Sequence, residues 1–245
     1  MLQKRLIPVL LVQNKRLVKS VKFKNFNYLG DPINAVKIFS TKTVDELIIT
    51  DIEATKNNAI DKEYLTKMAS ECFIPLTYSG GINNLEDMED IFKIGFEKIS
   101  IDSSYYQNNN FLKDAVEEFG SSSVVATVTI RKDFFGNYKL WDYVSKSNRK
   151  TKIKEEILKI QDLQPGEIVL NNASLDGTMS GYDIPIIESV SSLMNIPFTV
   201  CGGAGDINDA KNILKIKNVT GAAAGSIFVY SSKEKGIMIN YPTQN

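Results

Sequence analysis

IPLTYSGGINNLEDMEDIFKI (Ile74–Ile94) and IPFTVCGGAGDINDAKNILKI (Ile196–Ile216) are the same stretch written twice, half a chain length apart. The copies share Ile74/Ile196, Pro75/Pro197, Thr77/Thr199, Gly80/Gly202, Gly81/Gly203, Asp87/Asp209, Ile91/Ile213 and Lys93/Lys215. Each reads as a buried strand, a Gly-Gly turn and an amphipathic helix. Two such halves of alternating strand and helix imply an α/β fold: an eight-stranded (β/α)8, or TIM, barrel built from two half-barrel repeats.

Composition agrees. The 245 residues suit one such barrel, so residues 1–245 are expected to form one domain. Basic and acidic residues number 29 each, which argues against a nucleic-acid or membrane partner attracted by charge. No apolar run reaches the roughly 18–20 residues of a membrane span. The opening MLQKRLIPVLLV has no small-residue cleavage site and reads as a first strand, not a signal peptide. A bacterial-type cytosol is the expected compartment.

Cys72 and Cys201 give neither a metal-binding spacing nor a disulfide framework, and the chain contains no histidine. It therefore cannot carry a Cys–His glutaminase centre or a His-ligated metal. Proton chemistry falls to carboxylates, Lys or Tyr. No metal and no cofactor are expected.

Eight segments of strand length follow from the apolar runs: Leu6–Val12, Glu46–Asp51, Ile74–Ser79, Lys98–Asp102, Val124–Ile130, Glu167–Asn171, Ile196–Cys201 and Val219–Ala224. Helical patterns lie between them, over Ile33–Phe39, Lys62–Cys72, Leu85–Ile94, Phe111–Phe119, Ile153–Leu163, Ile184–Met194 and Ile207–Ile216. Asp31-Pro32 and Asp206 mark helix starts. Two connections are long and aromatic: Gln13–Gly30 after strand 1, and Arg131–Lys150 after strand 5, the latter read as a hairpin. Both leave the C-terminal ends of strands, where barrel enzymes place their sites. The closing VYSSKEKGIMINYPTQN is broken by Gly236 and Pro242, so an eighth helix is expected to be short or absent.

Glycines at the ends of strands let backbone N–H groups approach an anion. The second half offers Asp176-Gly177-Thr178, Gly202-Gly203-Ala204-Gly205 and Ala224-Gly225-Ser226 from three successive strands. A phosphate or similar small anion is expected there, on Gly177, Gly203, Ala204, Gly225 and Ser226. The first half offers Gly81 and Asp102-Ser103-Ser104, but Asp102 would repel a phosphate. Lys19, Asp51, Asp102 and Asp176 are the charged candidates for the same top face.

These motifs resemble the HisF-like family, the cyclase subunit of imidazole glycerol phosphate synthase. The resemblance rests on Lys4-Arg5-Leu6-Ile7-Pro8, Gly30-Asp31-Pro32, Asp45-Glu46-Leu47 with Asp51, Gly80-Gly81-Ile82, Lys98-Ile99-Ser100-Ile101, Gly166-Glu167, Asp176-Gly177-Thr178, Gly181-Tyr182-Asp183 and Gly202-Gly203-Ala204-Gly205. It covers nearly the whole chain in order and implies a two-half barrel with one phosphate site in each half. It also implies an aspartate near the end of strand 1 and another near the end of strand 5 as acid and base. Here those positions hold Leu11 and Thr129, neither of which exchanges a proton usefully near neutral pH. An asparagine that helps bind the first-half phosphate corresponds to Asp102.

The resemblance further implies a ring of alternating charges at the N-terminal mouth, gating an ammonia channel, at Arg5, Glu46, Lys98 and Glu167. Retaining the gate while losing the acid/base pair is similar to the branch associated with acetamidino modification of surface-polysaccharide sugars. Strand 1 with Leu10-Leu11, the stretch LVKSVKFKNFNYLGDPINAVKIF and the tail IMINYP carry that similarity. It implies a HisH-like glutaminase partner and a separate sugar amidotransferase. Small or apolar interior side chains (Val9, Leu11, Val128, Ala223) would suit an ammonia passage, and Phe23, Phe26, Tyr28 and Trp141 could dock a protein above it. Two alternatives stay open: a genuine cyclase using Asp51, Asp176 or Asp102, and a barrel that only binds and stimulates a glutaminase.

Overall fold

The computed structural model describes residues 3–231 and 236–242. Eight parallel strands, numbered here first to eighth, form a closed barrel: Arg5–Gln13, Leu47–Asp51, Leu76–Ser79, Lys98–Ile101, Val124–Lys132, Glu167–Asn172, Phe198–Cys201 and Val219–Ala224. Each pairs with its neighbour in chain order, and the eighth closes on the first from Arg5↔Gly221 to Pro8↔Ala224. The fold is the (β/α)8 barrel that the repeat implies.

Side chains alternate across the barrel wall with the period of two that a strand imposes. Leu10, Val12, Ile49, Ala126, Val128, Ile130 and Val200 point outward and join the large apolar cluster beneath the helices. Ile7, Ile48 and Ala223, with Val9 and Cys201, form a separate small cluster inside. Val128 was expected in the interior and is not there. The fifth strand turns Val125, Thr127 and Thr129 inward, so Val128, one residue out of phase, packs under the helices.

The duplicated stretch builds the same unit twice. Asn84 caps Leu85–Ile94 by accepting from Asp87 N–H at 2.8 Å, and Asp206 caps Ile207–Ile213 by accepting from Asp209 N–H at 2.9 Å. Gly80 and Gly202 both take positive φ, +135° and +94°. A Cβ on Gly202 would lie 2.6 Å from the Asn172 carbonyl oxygen, and one on Gly80 would overlap the Asp51 carbonyl. Each glycine thus lets its turn close against the end of the preceding strand.

Boundaries shift for local reasons. The third and seventh strands start at Leu76 and Phe198, because Pro75 and Pro197 have no N–H for the ladder. Their carbonyls still accept from Leu47 and Ile168, at 2.9 and 3.0 Å. Helices expected to reach Cys72, Leu163, Met194 and Ile216 end at Ala69, Asp162, Ser191 and Ile213, their last residues tightening into turns. Two short helices, Ile52–Asn57 and Ser103–Gln107, have no counterpart in the sequence reading.

Both long connections are hairpins. Arg16–Val21 and Lys24–Gly30 extend the first strand, and Tyr138–Asp142 extends the fifth. Lys22 N–H donates to the Asp176 carbonyl at 2.8 Å, tying the first hairpin to the loop after the sixth strand. Phe23 of one hairpin meets Tyr143 of the other edge to face, centroids 5.8 Å apart.

The eighth helix is a single turn, Ser226–Val229. Tyr241 stacks on Phe228 at 5.6 Å and donates its hydroxyl to the Leu6 carbonyl at 3.1 Å, so the tail covers the barrel in the helix's place. Residues 232–235 and 243–245 of that tail lie outside the described residues. Among the described residues, no helix is long and apolar enough to cross a membrane.

Candidate functional site

The floor of the barrel is a closed ring of charges. Arg5 Nη1 meets Glu46 Oε2 at 2.5 Å, and Arg5 Nη2 meets Glu167 Oε1 at 2.7 Å. On the other side Lys98 Nζ reaches Glu46 Oε2 at 2.9 Å and Glu167 Oε2 at 3.4 Å. Thr77 donates its hydroxyl to Glu46 at 2.7 Å, and Thr199 donates to Glu167. Two positive and two negative charges alternate, and each carboxylate has three donors. Burial works against the Glu167 charge, yet hydrogen bonds from Arg5, with Lys98 and Thr199, hold its carboxyl below the ordinary range.

Above the ring lies a cavity of about 360 Å³ that runs the height of the barrel. Glu46, Thr77 and Glu167 line its bottom, and Gly81, Asp102, Thr129 and Tyr143 line its mouth. One wall is apolar, with Ile7, Val9, Ile48 and Val169. The other carries hydroxyls: Ser100 and Thr127 hydrogen-bond at 2.6 Å, and Thr129 donates to Asp102 Oδ2 at 2.7 Å.

A second cavity of about 130 Å³ opens beside the mouth over the second half. Gly177, Gly203, Ala204, Gly225 and Ser226 line it, together with Leu11, Lys19 and Asp176. The expected anion positions are therefore brought together. Lys19 Nζ meets Asp176 Oδ1 at 2.8 Å, and Ser20 donates to Asp176 Oδ2 at 2.8 Å. A Cβ on Gly225 would come 3.0 Å from Lys19 Cε, so this glycine leaves room for the lysine stem. Among the described residues, Ser226 Oγ is buried with no hydrogen-bond partner. A buried hydroxyl without a partner at a strand-to-helix turn suits an anion acceptor.

Comparison with known proteins places this architecture. A family model described as histidine biosynthesis protein matches residues 5–234. A Vibrio vulnificus protein provisionally named imidazole glycerol phosphate synthase subunit hisF3 is 41% identical over 246 residues, spanning 99% of this chain and 94% of its own. A Streptococcus sanguinis protein named imidazole glycerol phosphate synthase subunit HisF is 35% identical over 231 residues, spanning 94% of this chain and 92% of its own. The chain belongs to the histidine biosynthesis family and is HisF-like. A further relative, from Pseudomonas aeruginosa and provisionally named subunit hisF2 of the same synthase, is 39% identical over 246 residues, spanning 100% of this chain and 98% of its own.

In this HisF-like barrel the strand-end residues divide into distinct duties. Leu11 pairs with Thr50 in the wall and lines the smaller cavity. Asp51 is a helix cap: Ala54 N–H donates to its Oδ1 at 3.0 Å. Burial raises the Asp51 carboxyl, and these backbone donors offset part of the effect. Asp102 occupies the matching place at the end of the fourth strand but leaves Ser103–Gln107 uncapped. It turns to Thr129, and burial pushes its carboxyl up to about 7. Gly81 lines the same mouth, closed against the Ala54 carbonyl.

Four contributors went unread in the sequence. Thr50, Thr55, Asn171 and Cys201 line both cavities and help join them into one two-lobed site. Cys201 stands where Ser79 stands in the first copy of the repeat, which was the available signal. Burial pushes its thiol up to about 12, so it serves as an apolar wall residue, not a nucleophile. Of the aromatics expected above the mouth, Phe23 and Phe26 line cavities, Trp141 is covered by Arg131 at 4.5 Å, and Tyr28 is exposed beside Arg16.

Proposed function

We propose that this chain is a HisF-like synthase subunit that has lost cyclase chemistry and conducts ammonia. It works with a HisH-like glutaminase on the floor of the barrel and a sugar amidotransferase at its mouth. Together they convert an acetamido to an acetamidino group in surface-polysaccharide sugars of the lipopolysaccharide or O-antigen type. The observation that carries this reading is one cavity spanning the barrel from Glu46 and Glu167 to the mouth, with Leu11 and Thr129 where the family resemblance expects acid and base.

Ammonia is a nucleophile only while unprotonated, and a wall of Ile7, Val9, Ile48 and Val169 disfavours ammonium. The chain has no histidine for a Cys–His glutaminase centre, which supports a partner as the source of nitrogen. Passage requires the ring to open. Lys98 is the natural hinge, because its contact to Glu167 is the longest of the ring at 3.4 Å. Lys98→Ala is expected to keep the glutaminase bound while uncoupling glutamine consumption from product formation in the reconstituted complex. Unchanged coupling would leave the barrel a docking scaffold only.

One observation favours a second reading, a cyclase that uses another acid. Asp102 is a carboxyl in the cavity mouth that titrates near neutrality. Asp51 and Asp176 are committed to a helix cap and to Lys19. Purified protein given ammonium salt and the histidine-pathway substrate should form no imidazole product above background. Turnover abolished by Asp102→Asn would establish the cyclase instead.

A further inference from the structure

Asp102 faces the cavity without an anionic or cationic partner in contact. Its Oδ2 accepts from the Thr129 hydroxyl at 2.7 Å, the one hydrogen bond this carboxyl makes among the described residues. Its backbone begins Ser103–Gln107, yet its side chain gives up the cap that Asp51 makes at the matching place. The ring below is neutral as a set, with Arg5 and Lys98 against Glu46 and Glu167. At the rim, Lys56 is turned to Glu53 at 3.7 Å. Across the mouth, Arg149 is bound to Asp142 at 2.6 Å and lies over the Tyr106 ring. Among the described residues, the upper cavity therefore has one uncompensated group, and it is acidic.

We propose that the upper cavity is a site for a small protonated nitrogen ligand, an ammonium-class monocation held by Asp102 and oriented by Thr129 and Asn171. Asp102 then accepts a proton from the bound cation. The N–H bond breaks, its electron pair stays on nitrogen, an O–H bond forms on the carboxylate, and neutral amine remains. The proton leaves to solvent at the mouth. The binding step stands on the geometry alone, and the proton-transfer step rests on the ammonia-conduit reading.

The chemistry is consistent with the surroundings. A carboxyl raised from 3.8 to about 7 is a stronger base than an exposed aspartate by about three powers of ten. The groups that set it are burial first, then the Thr129 hydroxyl, Asp142 and Arg149. The apolar wall opposite lowers the cation's own hold on its proton. A phosphate in the same place would meet the carboxylate, while among the described residues the neighbouring cations Lys56 and Arg149 are paired with Glu53 and Asp142.

The test uses the barrel alone, with aspartate carboxyl carbons labelled for NMR and the Asp102 signal assigned through Asp102→Asn. Ammonium chloride and methylammonium chloride are the probes, with tetramethylammonium chloride and sodium phosphate as controls. The expected result is a saturable shift of the Asp102 signal with both probes and none with tetramethylammonium, which has no N–H to donate. Affinity should fall about tenfold for each pH unit below about 7, because only the carboxylate binds. Thr129→Val should weaken it several-fold while leaving the shift in place. No saturable shift, a shift that tetramethylammonium reproduces, or phosphate binding at this mouth would each overturn the site. If the ammonium shift survives but Lys98→Ala leaves coupling unchanged, the conduit reading fails and the cation site stands.

Discussion

At the top of the first half, Gly80 closes against Asp51, and Asp102 stands among Ser103, Thr129 and Asn171 with no basic partner in contact. At the top of the second half, Gly202 closes against Asn172, and Lys19 is locked onto Asp176 beside the unpartnered Ser226 hydroxyl. The two tops share a backbone cradle because both come from one repeated strand–turn–helix unit. They differ in the few side chains that end each strand. The difference teaches that one backbone cradle can carry an unpaired carboxyl at one top and a lysine–aspartate pair at the other, and that the strand-end residues set which.

The largest expected effect lies in the floor, which both halves build together. Glu167→Ala leaves Arg5 without its bidentate partner and Lys98 with Glu46 alone. Breaking a buried network on one side costs about 3–5 kcal/mol, measured by urea denaturation at pH 7. The pH dependence gives an independent check. Glu167 sits below its ordinary 4.5 in the folded protein. Its stabilisation is therefore full above about pH 4.5 and is lost as pH falls through the folded value. Glu167→Gln should flatten that acid limb; a limb that stays would mean the ring is not ionised as drawn.

Asp102 should behave in the opposite sense. Its folded carboxyl, about 7, lies above its ordinary 3.8. Between those values the native state binds more protons than the unfolded chain, so stability falls as pH rises through the window. The loss is complete above about pH 7 and absent below about pH 4. Asp102→Asn should thus be more stable than the natural chain at pH 8 by about 2 kcal/mol, half the full value of the shift, because the carboxyl is partly open to the cavity. Equal stabilities at pH 5 and pH 8 would show that the two tops do not differ in charge as described.

The sequence made the cradle legible and the strand ends only partly so. The repeat disclosed the barrel, and Gly80, Gly81, Gly202 and Gly203 disclosed the turns, because a positive φ against a neighbouring carbonyl leaves no other residue type comfortable. In VVATVTI the alternating Thr127 and Thr129 mark the inward face and put Val128 on the outer one, but the apolar residues around them mask that period in a strand buried on both faces. The cap made by Asp51 was hidden because Ile52–Asn57 is too short to show a helical period. The Lys19–Asp176 pair and the Phe23–Tyr143 contact join segments far apart in the chain, and no local pattern encodes them.

A smaller effect is expected at the second top. Inorganic phosphate should bind the natural chain at a single site lined by Gly203, Gly225 and Ser226, read by isothermal calorimetry. Ser226→Ala removes a buried hydroxyl that has no other partner among the described residues, so affinity should drop about tenfold. Asp102→Asn should leave that affinity unchanged. Two phosphate sites in the natural chain would erase the distinction between the halves.

The smallest effect separates a cap from an acid. Asp51 accepts from Ala54 N–H at 3.0 Å, and an N-cap aspartate replaced by alanine costs about 1 kcal/mol. Asn keeps the acceptor and gives up the charge, which burial already disfavours at this position. Asp51→Asn is therefore expected to melt within a degree or two of the natural chain, whereas Asp51→Ala melts several degrees lower. If Asp51 served as the replacement acid of a surviving cyclase, the two variants would not separate in the activity assay. Asn would then be as inactive as Ala despite its intact fold. Stability that follows the cap, with coupling of glutamine use to product untouched by Asp51→Asn, assigns this aspartate to the helix. It leaves Asp102 as the one strand-end carboxyl of the two tops committed to neither a cap nor a lysine.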